Sequence, residues 1–80
     1  MKIIVVQPTG STQSINVNED DTIKELKNKI SQKLGIDMKQ HNLNHGTLVL
    51  DEQTDGKTLR DLGLEEEGMI HITSIFKGGF

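Results

Sequence analysis

The sequence predicts one small α+β domain, in which a β-hairpin packs against a single amphipathic helix. The chain has only 80 residues and no cysteine, so it must fold around one economical core without disulfides. Residues 2–18 alternate with the period of a strand pair, and residues 22–35 carry apolar side chains at helical spacing. These three observations leave no room for a two-domain enzyme.

Composition excludes further classes of protein. The chain has 9 Lys and Arg against 12 Asp and Glu, and its only aromatic residues are Phe76 and Phe80, so it lacks the basic stripe and stacking platform of nucleic-acid binders. Its longest apolar run, Ile3–Val6, is far below the roughly 20 residues that span a bilayer, and too short for a signal peptide. We therefore expect a soluble, monomeric, intracellular protein of the cytoplasm, the nucleus or both, with no membrane or nucleic-acid partner.

The N-terminal hairpin is predicted from two alternating segments, Lys2–Gln7 and Ser14–Asn18, joined by turn chemistry in Pro8–Ser11. Alternation lets one face of the hairpin bury four side chains, those of Ile3, Val5, Ile15 and Val17. Ile4 and Val6 then lie on the opposite face. They either make a second, smaller contact or belong to a binding surface.

The helix has the clearest start and stop signals. Thr22 and Glu25 have the spacing of a capping box, and Gly35 can end the helix in the left-handed conformation with Ile36 packed back on the last turn. The predicted apolar stripe consists of Ile23, Leu26, Ile30 and Leu34. The predicted solvent face consists of Lys24, Lys27, Asn28, Ser31 and Gln32.

The second half of the chain predicts shorter elements. The expected strands are Asn42–His45, Leu48–Leu50 and Met69–Ile75, the last of them burying Ile70 and Ile72. Asp55-Gly56 predicts a tight turn with positive φ at the glycine. Thr58 is positioned to cap a single helical turn that ends at Leu62.

Many of these turn, cap and core residues have the spacing found in one known protein family. They are Met1 with Ile3 and Val5, Thr9-Gly10, Asp21-Thr22-Ile23, Lys27 with Lys29-Ile30, Lys33 with Gly35-Ile36, Gln40, Leu43, Leu50, Asp55-Gly56, Thr58-Leu59, His71 and Gly78-Gly79. With them the chain resembles ubiquitin over essentially its whole length. The resemblance implies a β-grasp fold, a mixed sheet wrapped around one helix.

The resemblance also divides the chain into a domain, residues 1–75, and a flexible tail, residues 76–80. In conjugated members of the family, a C-terminal Gly-Gly carboxylate is adenylated, passed to an enzyme thiol and joined to a lysine amine. Gly78 and Gly79 occupy those positions, and Phe80 would have to be removed first by a cysteine peptidase. The implied partners are activating and conjugating enzymes, a processing peptidase and target proteins.

A second interpretation of the tail remains open. Many proteins carry this domain only as a docking module, because a fold does not by itself define a function. In that case Gly78-Gly79 is a linker at a domain edge, the chain continues beyond Phe80 in its natural context, and the partner is noncovalent.

The recognition face departs from that of ubiquitin. The three aliphatic positions of ubiquitin's main patch correspond to Pro8, Asn44 and Thr73, and only the flanking histidine is kept, as His71. Without these anchors, binding to a partner loses about 1.5 to 3 kcal/mol of hydrophobic stabilisation for each large side chain that is missing. We therefore expect general ubiquitin receptors to bind poorly.

A replacement surface is predicted nearby. Leu48 and Val49 stand where ubiquitin is polar, and a strand cannot point both of them and Leu50 inward. Either Leu48 or Val49 forms a shifted docking patch beside His71, or the altered loop repacks them into the core. The loop Asp51–Thr54 is three residues longer than the usual connection, which changes the outline of this edge at little cost in stability.

The conjugation chemistry also differs from that of ubiquitin. Three helix lysines match ubiquitin lysines and are candidate chain acceptors, or simply part of a solvated face with one buried stem: Lys27, Lys29 and Lys33. The acceptor positions most used in the family are Leu48 and Glu66 here, and the turn lysine is Ser11, so chains of the common kinds are excluded. Ile75 replaces an arginine that the ubiquitin system reads, which implies a dedicated set of enzymes.

Other chemistry has weak support in the sequence. His41 and His45 are spaced to share one face of a strand and His71 could approach them, but no cysteine or carboxylate completes a set of metal ligands. No thiol nucleophile exists, and no serine lies in a nucleophile motif. We expect neither a metal, nor a cofactor, nor enzymatic activity.

Overall fold

The computed structural model describes residues 1–74. The domain boundary predicted at residue 75 and the tail 76–80, including Gly78, Gly79 and Phe80, lie outside the described residues. The helices and strands in chain order are β1 (Lys2–Val6), β2 (Thr12–Asn16), α1 (Ile23–Leu34), a 3₁₀ turn (Met38–Gln40), β3 (His41–His45), β4 (Leu48–Val49), a second 3₁₀ turn (Glu52–Thr54) and β5 (Gly68–Ser74).

The five strands form one mixed sheet in the order β2-β1-β5-β3-β4. β1 pairs antiparallel with β2 and parallel with β5, while β3 pairs antiparallel with both β5 and β4. The central parallel pair requires a long crossover between its strands, and the rest of the domain, including α1, lies in that connection. This arrangement confirms the predicted α+β fold of the β-grasp type.

Alternation along the strands builds the inner half of the core. Ile3 and Val5 of β1 are fully buried, and Ile15 and Val17 are only 4% exposed, as the hairpin pattern predicts. Strand β2 begins and ends two residues earlier than predicted. Val17 therefore lies just beyond it, held by its N–H, which donates to the Met1 carbonyl at 2.8 Å.

Helix α1 supplies the other half of the core. Ile23, Leu26 and Ile30 are fully buried, and Leu34 packs half-buried against them. Both reciprocal hydrogen bonds of the capping box are present: the Glu25 N–H donates to Thr22 Oγ1 at 3.2 Å, and the Thr22 N–H donates to Glu25 Oε1 at 2.8 Å. Gly35 ends the helix with φ 67, in the left-handed region that favours glycine.

The first turn of α1 is also tied to the segment 55–60. The N–H groups of Ile23 and Lys24 donate to the carbonyls of Lys57 and Asp55, and the Leu59 N–H donates to the Asp21 carbonyl at 3.0 Å. A helix leaves its first N–H groups without partners inside the helix, so this segment satisfies them. It also brings the buried Leu59 under the helix.

One prediction for the second half needs correction, and another is confirmed. Gly56 does not have a positive φ, because the chain leaves the 3₁₀ turn Glu52–Thr54 with Asp55 still in the right-handed region. Within residues 1–74, Glu67 has a positive φ, of 62°, although it is not a glycine. Thr58 caps the predicted single helical turn, since Thr58 Oγ1 accepts from the Asp61 N–H at 3.0 Å and the Leu62 N–H donates to the Thr58 carbonyl at 3.3 Å.

The longer loop is an ordered element. The Gln53 N–H donates to the Asp51 carboxylate at 3.0 Å, and Thr54 Oγ1 donates to the Asp51 carbonyl at 2.8 Å. Thr54 is 9% exposed, so its hydroxyl is buried with a partner. The three extra residues are therefore absorbed into a capped 3₁₀ turn.

Replacing Thr22 with alanine tests the capping box. The Thr22→Ala variant is expected to lose about 1 kcal/mol of unfolding free energy, because it removes the acceptor for the Glu25 N–H. Urea denaturation measures this directly. Thr47→Ala is the matched control, since Thr47 is exposed in the β3–β4 turn and its replacement should change stability by less than about 0.5 kcal/mol. Equal losses in the two variants would contradict the cap's role.

Candidate functional site

The outer face of the sheet, on the side away from α1, carries the predicted recognition residues. In the strand register Val6 lies opposite His71, His71 opposite Asn44, and Asn44 opposite Val49. Paired residues in a sheet point to the same face. These four side chains therefore form one row across β1, β5, β3 and β4, which we call the outer row.

The centre of this face is polar. Asn44 Nδ2 donates to Thr73 Oγ1 at 3.4 Å, so two of the positions predicted to have lost ubiquitin's aliphatic anchors lie in contact. Their polar groups partly satisfy each other. Pro8 lies exposed in the β1–β2 turn, which the Gly10 N–H closes by donating to the Gln7 carbonyl at 2.8 Å.

Leu48 and Val49 are both exposed, at 38% and 43%. The alternative in which they repack into the core is therefore wrong for both residues, because the 2% exposed Leu50 alone enters it. They point to opposite faces: Val49 pairs with Asn44 on the outer face, whereas Leu48 pairs with His45 on the side of the buried Leu43. Only Val49 belongs to the outer row with His71.

A second apolar surface on the outer face adds Met69, which was not singled out from the sequence, to the predicted pair Ile4 and Val6. Met69 is 47% exposed and lies opposite the half-buried Ile4 across the parallel pair of β1 and β5. With Val6 these side chains form what we call the β1–β5 patch. The signal was present in the period-two alternation, since a strand that buries Ile70 must turn Met69 outward.

One end of the β1–β5 patch is acidic. The Lys2 N–H donates to the Glu66 carboxylate at 3.2 and 3.3 Å, and Lys2 Nζ lies 3.8 Å from Glu67 Oε2. The outer face therefore offers apolar surface next to exposed carboxylates, with a polar centre.

The helix lysines differ in their availability. Lys27 Nζ lies 2.7 Å from Asp55 Oδ1 and its side chain is 18% exposed, so its prediction as a solvent-facing residue is wrong. The cause is the segment after the longer loop, which covers the helix and places the Asp55 carboxylate over it. Lys29 Nζ lies 2.8 Å from Asp21 Oδ2. Lys33 is exposed, and no acidic side chain within residues 1–74 forms an ion pair with it.

Asp21 is held in the ionised form by two hydrogen bonds. The Asn18 N–H donates to its Oδ2 at 3.0 Å, and the Lys29 ammonium donates to the same oxygen. The Asn18 hydrogen bond and then the Lys29 contact lower the pKa of Asp21 below its ordinary value. The carboxylate thereby joins the end of β2, the helix N-terminus and the middle of α1.

The three histidines do not converge. His41 and His45 occupy alternate positions of β3 on the side of the buried Leu43, whereas His71 pairs with Asn44 on the outer face. The expectation that His71 could approach the other two is therefore wrong. The His41 ring instead makes a 2.8 Å contact between Nδ1 and the Asp37 carbonyl.

The longer loop also forms one wall of an open cleft of about 650 Å³ between α1 and β3. Leu50 and Met38 contribute apolar surface, and the walls carry both signs of charge, including Lys24, Lys39 and Glu52. This mixed lining favours no single class of ligand.

A five-stranded mixed sheet that holds one capped helix, with an exposed outer face, is the architecture of a ubiquitin-like interaction domain. The model of the ubiquitin family matches residues 3–74. The chain therefore belongs to the ubiquitin family, whose domains mediate protein–protein interactions. Within residues 1–74, no helix has the length and apolar character needed to cross a membrane.

The Asp21 contacts predict a pH-dependent contribution to stability. Asp21→Asn is expected to lower the unfolding free energy at pH 7. Folding lowers the pKa of Asp21, so the full loss of stability is expected at pH values above its pKa in the unfolded chain, about 3.9. The loss should vanish as the pH falls through the lower pKa that Asp21 has in the folded protein. Urea denaturation between neutral and strongly acidic pH measures it, with the exposed Asp20→Asn as control. A loss independent of pH would contradict this role.

The lysine contacts predict an order of amine reactivity. Under limited acetylation, Lys33 should react roughly tenfold faster than Lys27, because the Lys27 amine must first break a charge-assisted hydrogen bond to Asp55, a contact worth about 1.5 to 3 kcal/mol. Peptide mass spectrometry gives both rates. Asp55→Asn should raise the Lys27 rate and leave the Lys33 rate unchanged. Equal rates in the unaltered protein would contradict the assignment.

Proposed function

We propose that the protein is a divergent ubiquitin-like modifier, made as a precursor and conjugated through Gly79 to lysines of target proteins after removal of Phe80. The observation that supports this most is spacing. The Gly-Gly pair ends five residues after Ser74, the last residue of β5, in a chain whose residues 3–74 match the ubiquitin family. Five extended residues reach at most about 17 Å, enough to carry a carboxylate from the domain into an enzyme channel.

The proposed chemistry treats the chain as a substrate. A cysteine peptidase hydrolyses the peptide bond between Gly79 and Phe80 with one water molecule, which leaves a free Gly79 carboxylate. That carboxylate attacks ATP to give an acyl-adenylate and pyrophosphate. An enzyme thiolate then displaces AMP, and a target lysine amine displaces the thiolate to form an isopeptide bond. Glycines suit a narrow channel, because backbone without side chains can approach its walls closely.

The tail supports the use of dedicated enzymes. Ile75 stands where ubiquitin presents an arginine, and an apolar side chain cannot satisfy an acidic pocket. In this proposal residues 1–75 are the domain and residues 76–80 the processed tail. Among the helix lysines, Lys33 is the favoured acceptor for chains, because Lys27 and Lys29 are engaged in ion pairs.

Recognition in this proposal uses the outer face but not ubiquitin's patch. Asn44 and Thr73 hydrogen-bond to each other where aliphatic anchors would otherwise lie. In the outer row Val49 is the exposed apolar side chain, and Asn44 lies between it and His71. A partner of this protein would therefore bury Val49 and contact His71 across Asn44, and general ubiquitin receptors would bind poorly.

A noncovalent docking domain of a larger protein is the second candidate. The exposed apolar residues Val49 and Met69 favour it, because a docking module needs only its surface. The two functions differ in whether Gly79 becomes a free carboxylate and then an isopeptide.

Replacing Gly79 with alanine separates the two functions. The tagged protein is expressed in its native cells, and its mass and its higher-mass conjugates are followed by intact-mass analysis and immunoblot. We expect the unaltered protein to lose Phe80 and to form conjugates that Gly79→Ala abolishes. Gly56→Ala is the matched control, since Gly56 has an ordinary φ and open space where a Cβ would lie. Retention of Phe80 with no glycine-dependent conjugates would favour the docking domain.

Two lysine substitutions test the recognition surface. Val49→Lys is expected to reduce the recovery of noncovalently bound proteins from native cells by about tenfold or more, since it places a charge in a buried contact. Leu48→Lys is the matched control, because Leu48 is similarly exposed but points to the other face. Quantitative mass spectrometry of the bound proteins gives the comparison. If Leu48→Lys alone reduced the recovery of bound proteins, the proposed role of the outer face in recognition would be contradicted.

A further inference from the structure

We propose that β2 pairs with β2 of a second copy of this chain, joining two sheets edge to edge. Strand β2 is at one end of the sheet order, and within residues 1–74 no strand pairs with its other side. Thr12, Gln13, Ser14 and Asn16 are all exposed. The outer face of this edge is therefore exposed along the whole strand, and on the inner face Gln13 is exposed whereas Ile15 is buried.

The hydrogen-bond pattern shows which backbone groups are free for a partner. The Val17 N–H donates to the Met1 carbonyl and the Gln7 N–H donates to the Ser11 carbonyl, at the two ends of the β1–β2 register. In an antiparallel pair, backbone groups alternate between facing the partner strand and facing away. The backbone groups of Thr12, Ser14 and Asn16 therefore point away from β1.

The edge lacks the features that usually block pairing. Sheet edges are commonly protected by charged side chains, prolines or bulges. Residues 7–18 contain no charged side chain, the register of β2 is unbroken, and Pro8 lies in the turn outside the strand. The five residues of β2 can therefore accept another strand without burying a charge.

A two-fold axis through Ser14 gives a consistent pairing. Ser14 then lies opposite the partner's Ser14, and Thr12 lies opposite the partner's Asn16. Because all three residues present free backbone groups, the pairing forms six backbone hydrogen bonds. The paired side chains are hydroxyls and amides, which can hydrogen-bond across strands.

Charge distribution favours the same antiparallel arrangement. The nearest carboxylates, Glu19 and Asp20, follow the C-terminal end of β2. In the two-fold pairing they lie near the uncharged β1–β2 turn of the other copy, not near its carboxylates. Two chains of net charge −3 can thus meet at this edge without direct repulsion. The axis is perpendicular to the sheet, so both outer rows face the same side and a partner could engage two at once.

This pairing departs from the expectation of a monomer. An interface limited to one strand from each copy is small, and such interfaces are weak and transient. The pair should therefore form at high concentration, or where several copies are held together.

A single cysteine tests the pairing and its register. The chain has no cysteine of its own, so Ser14→Cys introduces a unique thiol. In the proposed pair the two Cα atoms at position 14 lie about 5.5 Å apart, within the range that a disulfide spans. Thr12→Cys is the matched control on the same strand, because its two copies would lie about 13 Å apart along the strands. Thr47→Cys is the control at the opposite edge.

Disulfide formation with oxidised glutathione is measured at roughly millimolar protein, after each variant is shown to unfold like the unaltered protein. We expect Ser14→Cys to dimerise about tenfold faster than either control. In sedimentation equilibrium the unaltered protein should exceed the 8.9 kDa of one chain as concentration rises, whereas Ser14→Lys should not. The proposal would be overturned if the three cysteine variants dimerised at equal rates, or if the mass of the unaltered protein stayed constant with concentration. It would also be overturned if the Ser14→Cys variant cross-linked in cells mainly to another protein.

Discussion

Burial of one helix stripe against the inner face of the sheet is the constraint on which the rest of the structure depends. Ile23, Leu26 and Ile30 are fully removed from solvent, and the capping box and the segment 55–60 hold the first turn of α1 in place. With the helix on one face, strand alternation decides which side chains belong to the core and which lie outside. The inner residues must stay apolar, while the outer residues are free to change.

That freedom lets the protein keep the fold of its family while the residues at the predicted recognition positions differ. Asn44 and Thr73 lie on the outer face, where a polar pair disturbs no core contact. Val49 and Met69 are exposed on the same face, so apolar surface is redistributed to its two sides. The core and the proposed recognition surface thus lie on opposite faces of one sheet, and a change in one need not affect the other.

The sequence predicts those parts of the structure that depend on local pattern. The hairpin core, the capping box and the end of α1 at Gly35 all follow from spacing of two, three or four residues. The errors involve contacts distant in sequence. Lys27 has the helical position of a solvent-facing residue, but Asp55 reaches it from a segment 28 residues away. Gly56 suggested a positive φ, but the 3₁₀ turn before it sets its conformation. Only the strand register separates His71 from His41 and His45 and places Met69 beside Ile4.

The central claim is that Gly79 becomes covalently joined to lysines of other proteins. The most direct measurement is mass spectrometry of proteins from native cells after digestion with a lysine-specific protease, which cuts after Lys77. The account predicts target peptides in which a lysine amine carries the dipeptide Gly78-Gly79, and these should disappear when the gene is deleted. Absence of such peptides from cells that contain abundant protein still ending in Phe80 would contradict the account.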